Sequence, residues 1–315
     1  MIAIIMGTYK GERYLSEQLD SLLASTCQEW KLYLCDDGST DRTLEIAEEY
    51  RCRYPQRIRV WRNPENLRSA RNFFAGLRRV FEEEPADYYM FCDQDDRWDA
   101  DKIAVSLERM QQMEREVGAD KPLLVYTDSR LTDEGGRVLE PSFQRVSHFR
   151  SEHCDLAHLL MENKMPGCTE MMNTALVQKA FSSAVQAEFP ADMKMHDWWF
   201  GLVAAAYGRI SYLDRATMDY RQHGGNVVGG TSFGSYLQDR LADIRKQKES
   251  IRENIRQAQS FRLWYGEDLG EQQQEILQAF CCLGEAGVLE RRRLLIRYRF
   301  WKSGLIRNVA LFLLV

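Results

Sequence analysis

The chain has 315 residues, of which 44% are hydrophobic, and a formal net charge of -5. This length and composition are sufficient for the core of one large globular domain or two small ones. The acidic balance provides no overall positive field that would concentrate nucleic acid. We therefore expect a globular protein without a nucleic-acid partner.

The cysteines and the N-terminus bear on where the protein works. The eight cysteines show no CxxC pair and no zinc-ligand spacing, and several lie within apolar runs. Free thiols of this kind are typical of a reducing cytoplasm. The N-terminus has neither the basic region nor the cleavage site of a signal peptide, and no apolar run reaches the roughly 18 residues of a membrane span. These features predict a cytoplasmic protein.

Short apolar runs alternate with helical patterns through the first part of the chain. Strands are predicted at residues 1–6, 31–35, 58–61 and 88–92, and helices at 12–26, about 39–50 and 69–81. This alternation predicts an α/β fold with a mostly parallel central sheet flanked by helices. In such sheets ligands bind beyond the carboxyl ends of the strands.

Two acidic motifs follow predicted strands at that edge. DDGSTD begins at Asp36 and DQDD begins at Asp93. Carboxylates gathered around one crevice repel one another unless a cation or hydrogen-bond donors compensate. All-oxygen ligands favour Mg²⁺ or Mn²⁺, which commonly bind substrate phosphates as well. The alternative is that these acids only shape turns and helix starts, which we prefer for Asp41, Asp99 and Asp101.

These motifs resemble a known family. The stretches IIMGTYKGERYLSEQLDSLLAST, LYLCDDGSTDRT and FCDQDDRWDADKI are similar, in order and spacing, to those of the inverting, A-type glycosyltransferases of family 2. The resemblance covers about residues 1–225, and DQDDRW with YRQHGGN is most similar to bacterial rhamnosyltransferases of surface polysaccharide synthesis. Lys10 departs from a frequent Asn, and Leu67 from a frequent Gly.

The resemblance implies an A-type fold, a nucleoside-diphosphate sugar donor linked to UDP or dTDP, and Mg²⁺ or Mn²⁺ at the DXD acids. Asp95 is the expected direct metal ligand, and His223 is a further candidate ligand. Asp36 is expected to be structural. The residues expected to bind the donor are Thr8, Tyr9, Asp37, Arg71 and Asp93. Tyr9 and Arg71 have the alternative of being ordinary surface side chains.

The second half is expected to bind the acceptor. MPGCTEMMN includes Gly167, which resembles the family's segment beneath the acceptor, and MHDWWF includes Asp197. The resemblance makes Asp197 the general base; a helix N-cap is the alternative for Asp197, and His196 is the alternative base. Trp198 and Trp199 are candidate sugar platforms, although one of them is expected in the core.

The loop MDYRQHGGN is expected to lie near the donor, with a Gly pair at 224 and 225 that permits closure. Arg221 could neutralise the diphosphate there. The metal role of His223 competes with that of an ordinary polar residue.

The composition changes after about residue 230 to charged helical patterns. The segment 291–315 has seven basic residues, no acids and interleaved large apolar residues, which indicates an interfacial helix on an anionic membrane surface. Docking on the catalytic domain or on a second copy is the alternative. The expected division is a catalytic domain at 1–228, with a nucleotide-sugar half at 1–100 and an acceptor half at 101–228, and a helical extension at 229–315.

The sequence thus predicts a metal-dependent inverting glycosyltransferase, with L-rhamnose from dTDP-rhamnose as one donor sugar. The acceptor is a glycan or a lipid-linked saccharide in bacterial cell-surface polysaccharide synthesis. The expected location is the cytoplasm, at the inner face of the cell membrane. The alternatives are a non-catalytic nucleotide-sugar or glycan-binding module and a haloacid-dehalogenase-type phosphatase. The phosphatase would need a different context after its acids than Asp96-Arg97.

Overall fold

The computed structural model describes residues 1–183, 185, 188–223 and 244–314. Within this part of the chain, nine strands form one sheet in the order β3-β2-β1-β4-β8-β6-β9-β5, with β7 paired to β6. The strands are β1 (Ile2–Thr8), β2 (Trp30–Asp36), β3 (Ile58–Arg62), β4 (Tyr88–Asp93), β5 (Arg97–Trp98), β6 (Leu123–Thr132), β7 (Val138–Glu140), β8 (Glu170–Asn173) and β9 (Arg209–Arg221).

Helices cover both faces of the sheet. The helices before β9 are α1 (Leu15–Leu23), α2 (Thr43–Arg53), α3 (Arg68–Glu83), α4 (Lys102–Val117), α5 (Phe143–Val146), α6 (Leu156–Met161), α7 (Thr174–Ala180) and α8 (His196–Tyr207). A short 3-10 turn spans Gly167–Thr169. The helices after β9 are α9 (Ile244–Tyr265), α10 (Glu271–Cys282), α11 (Val288–Tyr298) and α12 (Leu305–Leu314).

The first half of the sheet is parallel, as the sequence predicts, and its register sets the position of the acidic motifs. Strand β1 pairs with β2 so that Thr8 lies opposite Asp36, and with β4 so that Gly7 lies opposite Asp93. Because parallel strands end at the same edge, both acidic motifs emerge side by side. Each element predicted in this half is present, with its ends shifted by a few residues.

The second half of the sheet is mixed. Strand β8 runs antiparallel to both of its neighbours, β4 and β6, whereas β6 and β9 are parallel. The short β5, directly after the DQDD motif, pairs antiparallel with β9. Strand β9 is 13 residues long, because its second part pairs with β5 and continues along β6. This extension carries Tyr220 and Arg221 to the carboxyl-end edge.

Alternating side chains of the central strands feed two hydrophobic clusters, as the twofold period of a strand requires. In β1, Ala3 and Ile5 join one cluster, and Ile4 and Met6 join the other. Both clusters are closed by amphipathic helices. The sheet is therefore buried on both faces, and its loops at the carboxyl end are held by a rigid base.

The C-terminal helices belong partly to this core. Phe261, Trp264 and Tyr265 of α9 are buried in the same cluster as Trp199, and α9 and α10 both contact α6. These two helices are therefore docked on the catalytic domain. In the segment 291–315, for which docking was the alternative to membrane contact, Leu295, Phe300 and Leu311 are buried in the same cluster. The expected boundary at 228/229 lies outside the described residues. No helix in the described part of the chain combines the length and the apolar composition needed to cross a bilayer.

Candidate active site

A cavity of about 920 Å³ opens at the carboxyl-end edge of the sheet. Its donor side is formed by the ends of β1, β2 and β4, and its other side by the 3-10 turn, the start of α8 and the C-terminal helices. The predicted site residues that line it are Thr8, Tyr9, Asp37, Asp93, Asp95, Gly167, Asp197 and Trp198. The fold therefore brings eight predicted residues from distant parts of the sequence around one space.

The two acids that end β2 have different surroundings. Asp36 is fully buried and accepts hydrogen bonds from Thr8 Oγ1 (3.1 Å) and from the backbone N–H of Gly38 and Ser39 (3.1 and 3.0 Å). It shapes the turn, in agreement with the structural role predicted for it. Gly38 has a φ of +87°, in the left-handed region that favours glycine.

Asp37 lies at the cavity wall and already accepts three hydrogen bonds. Its Oδ1 accepts from Asn63 Nδ2 and from the Leu67 N–H, and its Oδ2 accepts from the Arg68 N–H, each at 2.8 Å. These bonds fix the loop that leads into α3. Since a carboxylate offers about four acceptor positions, Oδ2 keeps capacity for one further donor.

Tyr9 lines the cavity next to the acids and is 45% exposed. Its backbone N–H donates to Gln94 Oε1, and its carbonyl accepts from Gln94 Nε2, both at 3.0 Å. The loop after β1 is thereby tied to the DQDD motif. Lys10 follows with a φ of +51°, in the left-handed region that Asn adopts more readily than Lys. This preference gives a physical reason for the Asn that is frequent at this position in the family that the sequence resembles.

The acids of DQDD lie close together, and two of them have strongly raised pKa values. Burial, and next the charge of Asp95, raises the pKa of Asp93 to about 7. Burial raises the pKa of Asp96 well above its ordinary value, and its Oδ2 is buried without a hydrogen-bond partner among the described residues. Ligand atoms of Asp93, Asp96 and Cys168 lie within 4.8 Å of one another. Burial keeps the Cys168 thiol protonated by raising its pKa, so the carboxylates are the better ligands.

A divalent cation fits this arrangement. His223 Nε2 lies 2.7 Å from Asp95 Oδ2, and both side chains are largely buried. The carboxylate oxygens suit Mg²⁺ or Mn²⁺. The geometric grouping differs from the prediction, which gave Asp95 and His223 as metal ligands and Asp93 as a donor-binding residue; the grouping contains Asp93 and adds Asp96. Gly224 and Gly225, the predicted closing pair, lie outside the described residues.

Arg221 has a different role from the expected one. Its side chain is 4% exposed; Nε donates to the Asp95 carbonyl (2.9 Å), Nη1 to the Glu134 carbonyl (2.8 Å), and Nη2 pairs with Glu17 (2.6 Å). These contacts involve all three guanidinium nitrogens. Arg221 fixes the backbone of the DQDD motif through the Asp95 carbonyl, a contact between residues 126 positions apart that no local pattern indicates.

Asp197 lies on the opposite side of the cavity. It is 6% exposed and belongs to the first turn of α8, whose N-cap is Met195, so the N-cap alternative is wrong. Its Oδ2 accepts from the Gly167 N–H (2.9 Å), and its Oδ1 accepts from Asn163 Nδ2 (3.1 Å) and the Trp198 N–H. Burial raises the pKa of Asp197 to about 7, and these bonds act in the opposite direction.

His196 is unsuited to the role of base. Its ring is buried, stacked on Phe73 at 4.2 Å and edge-on to Phe91 at 4.5 Å. Burial lowers its pKa to about 3. An imidazole with this pKa takes up a proton too weakly to compete with Asp197 near neutral pH.

The two tryptophans of MHDWWF separate as expected, one at the cavity and one in the core. Trp198 lines the cavity and donates from Nε1 to the Leu159 carbonyl at 2.6 Å. Trp199 is fully buried, and its Nε1 donates to Tyr265 Oη at 3.2 Å. Only Trp198 is therefore placed to contact an acceptor.

Arg71 is the predicted donor residue that the structure places elsewhere. It is exposed, and its guanidinium lies 5.4 Å from the ring centre of Phe189. Arg68, Ser69 and Asn72 of the same helix line the cavity instead. Each residue turns a helix by about 100°, so Arg71 faces away from the side that presents Asn72.

The remaining acids near these motifs have structural partners. Asp99 pairs with Arg130 (2.6 Å), and Asp101 pairs with Arg215. Asp41 accepts from the Thr43 and Glu12 N–H groups. The contacts of Asp41 agree with the turn role preferred for it. Asp99 and Asp101 instead form ion pairs, and Asp101, the N-cap residue of α4, makes no side-chain cap hydrogen bond.

Residues 3–157 match the model of glycosyl transferase family 2. Among curated proteins, the dTDP-rhamnosyl transferase RfbG of Shigella flexneri is 28% identical over 244 residues, which cover 77% of this chain and 80% of that protein. Neither the phosphatase nor the binding-module alternative is supported by these matches.

Solved structures give the same fold. S. aureus TarS 1–349 in complex with UDP superposes with a TM-score of 0.56 and 18% identity, covering 93% of this chain and 77% of that chain. The mannosyltransferase PcManGT from Pyrobaculum calidifontis, in complex with GDP-Man and Mn²⁺, has a TM-score of 0.53 and 14% identity, covering 99% and 78% of the two chains. The chain therefore contains a glycosyltransferase family 2 domain at residues 3–157, and it is a glycosyltransferase with the A-type fold.

Proposed function

We propose that this glycosyltransferase transfers L-rhamnose from dTDP-rhamnose to a glycan or lipid-linked saccharide in bacterial cell-surface polysaccharide synthesis. The observation that carries the proposal is the single cavity with Asp37, Asp93 and Asp95 on one side and Asp197 on the other. The rhamnosyl transfer in the name of the Shigella relative supports the choice of sugar. UDP-linked sugars are the second donor class.

The donor nucleotide is proposed to lie along Thr8, Tyr9 and Asp37. A second cavity of about 490 Å³ adjoins the first and is lined by Tyr9, Asp37, Asn63 and Asn66, among others. The remaining acceptor position on Asp37 Oδ2 suits the imide N–H of thymine or uracil, which cytosine and adenine lack. Asp93 then faces the ribose side, and Arg68 replaces Arg71 as the basic residue at the donor.

The proposed metal site comprises Asp95 and His223, with Asp93 and Asp96 next to them. Mg²⁺ or Mn²⁺ bound there would offset the negative charge that develops on the leaving diphosphate. The chain's own contribution is to hold Asp95 through Arg221 and Gln94, so that the ligand geometry exists before the donor arrives.

Asp197 is proposed as the general base of a direct displacement. Its carboxylate takes the proton of an acceptor hydroxyl while that oxygen forms a bond to the anomeric carbon. The bond from the anomeric carbon to the diphosphate oxygen breaks, and its electron pair leaves with the diphosphate. Attack from the face opposite the leaving group inverts the anomeric configuration. Gly167 and Trp198 are proposed to support the acceptor sugar.

We further propose that the cytoplasmic enzyme lies on the inner face of the cell membrane through α11 and α12. Leu289 and Ile306 are 82% and 79% exposed. Basic side chains such as Arg293 and Arg297 lie on α11 and are also exposed. Exposed apolar residues among cations suit an anionic bilayer surface, where each cation contributes roughly 1 kcal/mol.

Vesicle flotation tests this membrane contact. We expect the full chain to float with anionic vesicles, and a Leu289→Glu/Ile306→Glu variant to float less. Equal recovery of both proteins would contradict the contact. Truncation is a poor test, because Phe261, Trp264 and Tyr265 belong to the shared core.

The division of the chain follows from these roles. We propose residues 1–100 as the nucleotide-sugar half, 101–228 as the acceptor half and 229–315 as a helical extension. The third part completes the acceptor side, since Lys246, Ser250, Lys302 and Arg307 line the cavity.

A binding panel tests the proposed donor. Thermal unfolding is measured with Mn²⁺ and, in separate wells, dTDP-rhamnose, UDP-glucose, UDP-galactose and GDP-mannose. We expect the largest stabilisation from dTDP-rhamnose. Greater stabilisation by a UDP-sugar would identify that compound as the donor in place of dTDP-rhamnose. Stabilisation by none of the four would contradict nucleotide-sugar binding.

A further inference from the structure

A further concave surface, distinct from the two cavities described above, lies beside the active site and has a different chemistry. This groove, with a volume of about 480 Å³, runs between the segment around Arg150 and helix α12. Its volume falls within the roughly 300–1,000 Å³ of small-ligand sites. The side chains that line it are mostly apolar, and they include Trp301, Leu305, Val309, Phe312 and Leu313.

One face of α12 forms the apolar wall of the groove. Leu305, Val309 and Leu313 recur at every fourth position, so they lie on the same face of the helix. They are 79%, 52% and 70% exposed. Exposed apolar side chains that are contiguous and line a groove mark a surface that binds an apolar partner.

The groove adjoins the active-site cavity, with which it shares one lining residue. Lys302 lines both spaces, and Arg307 of α12 lines the cavity side. Arg150 lies at the groove and is exposed. Lys302 and Arg150 therefore stand where the apolar groove meets the space that contains Asp197, whereas Arg307 is paired with Glu162 at 2.9 Å. This order of chemistry matches a molecule with a hydrocarbon chain, an anionic link and a polar head.

We propose that the groove binds the hydrocarbon chain of a lipid-diphosphate-linked acceptor. The diphosphate lies against Lys302 and Arg150, and the saccharide extends into the cavity toward Asp197. The inference rests on the proposed transferase function and specifies its acceptor class. It also gives α12 two adjoining surfaces: Ile306, 79% exposed and outside the groove lining, faces the bilayer in the proposed arrangement.

The test measures binding without turnover, so that its result is independent of the donor and of catalysis. Farnesyl diphosphate, farnesol and inorganic diphosphate are titrated into the full chain in EDTA, which removes metal-dependent binding at the donor site. Calorimetry reports binding, and the intrinsic fluorescence of the seven tryptophans, to which Trp301 contributes, provides a second signal. We expect farnesyl diphosphate to bind at least tenfold more tightly than either of its two parts.

Matched variants on one helix locate the site. Val309→Asp, inside the groove, is expected to weaken farnesyl diphosphate binding at least tenfold, whereas Ile306→Asp, outside it, changes binding less than twofold. Lys302→Gln is expected to weaken binding of farnesyl diphosphate severalfold while leaving that of farnesol unchanged. Thermal melting establishes that each variant is folded; both α12 positions are more than half exposed.

Two results would overturn the proposal. One is the absence of farnesyl diphosphate binding to the wild-type chain. The other is equal weakening by Val309→Asp and Ile306→Asp, which would indicate a general bilayer-facing surface in place of a groove. Absence of sugar transfer with lipid binding intact would contradict the proposed function. Absence of lipid binding with sugar transfer intact would contradict only the proposed acceptor class.

Discussion

Asn163 provides a sharp test of the role of Asp197. Its Nδ2 donates to Asp197 Oδ1 at 3.1 Å, and this bond stabilises the charged carboxylate. Burial raises the pKa of Asp197 to about 7, and the bond from Asn163 is one of three that oppose this effect. Asn163→Ala removes the donor and leaves the other two. The carboxylate should therefore hold its proton to a higher pH.

The size of the change follows from hydrogen-bond energies. A hydrogen bond to a charged group contributes about 1.5–3 kcal/mol, and one pH unit corresponds to about 1.4 kcal/mol. We expect the acidic limb of kcat/KM to move upward by about one to two pH units in Asn163→Ala. The plateau at high pH should stay within a few-fold of wild type, because the base is intact once deprotonated.

The assay is nucleoside-diphosphate release between pH 5.5 and 9.5 with the donor identified by the binding panel. Wild type should lose about tenfold in rate per pH unit below pH 7. Ser250→Ala, which changes another residue of the cavity lining, serves as the control and should keep the wild-type limb. An unmoved limb with a lowered plateau in Asn163→Ala would refute the reasoning, since it would show that Asn163 acts on the acceptor instead.

Three further changes have defined outcomes. Burial raises the pKa of Asp197 in the folded protein to about 7, so its favourable contribution to stability exists at low pH and is lost as pH rises through 7. Between pH 5 and 7.5, the free energy of unfolding of Asp197→Asn in urea should therefore rise by about 3 kcal/mol relative to that of wild type. A difference between the two proteins that does not change with pH would contradict the burial argument. Gly167→Ala places a Cβ 2.7 Å from His196 Nε2 and should cost about 1–3 kcal/mol with a lowered kcat; unchanged Tm and kcat would count against close packing there. Arg221→Met removes the hydrogen bonds to the Asp95 carbonyl and to Glu17 and should lower both Tm and Mn²⁺ affinity. A lower Tm with unchanged Mn²⁺ affinity would show that the Arg221 contacts do not support the metal site.

The sequence predicts the donor side well because that side depends on local patterns. Strands β1, β2 and β4 end in short motifs whose acids emerge at one edge by parallel pairing. Asp36 could be separated from Asp37 as structural. The mixed second half was less predictable, since the direction of β8 depends on how the chain returns from α6 rather than on its own residues.

The errors arise where long-range contacts decide the role of a side chain. Arg221 is drawn to Glu17 and to the Asp95 carbonyl, which are far away in sequence. Asn163 precedes Asp197 by 34 residues and has no motif that marks it. Arg71 was one helix position away from Asn72, and a small uncertainty in helix phase exchanges an exposed residue for a buried one.

The measurement that tests the central claim most directly is metal-dependent nucleoside-diphosphate release from dTDP-rhamnose by wild type, Asp95→Asn, Asp197→Asn and Asp101→Asn. The account predicts Mn²⁺- or Mg²⁺-dependent release by wild type, severe loss in the first two variants, and retention in Asp101→Asn, whose carboxylate pairs with Arg215 outside the cavity. Wild-type levels of release in Asp95→Asn at saturating metal, or in Asp197→Asn at any pH, would contradict the assignment of the site.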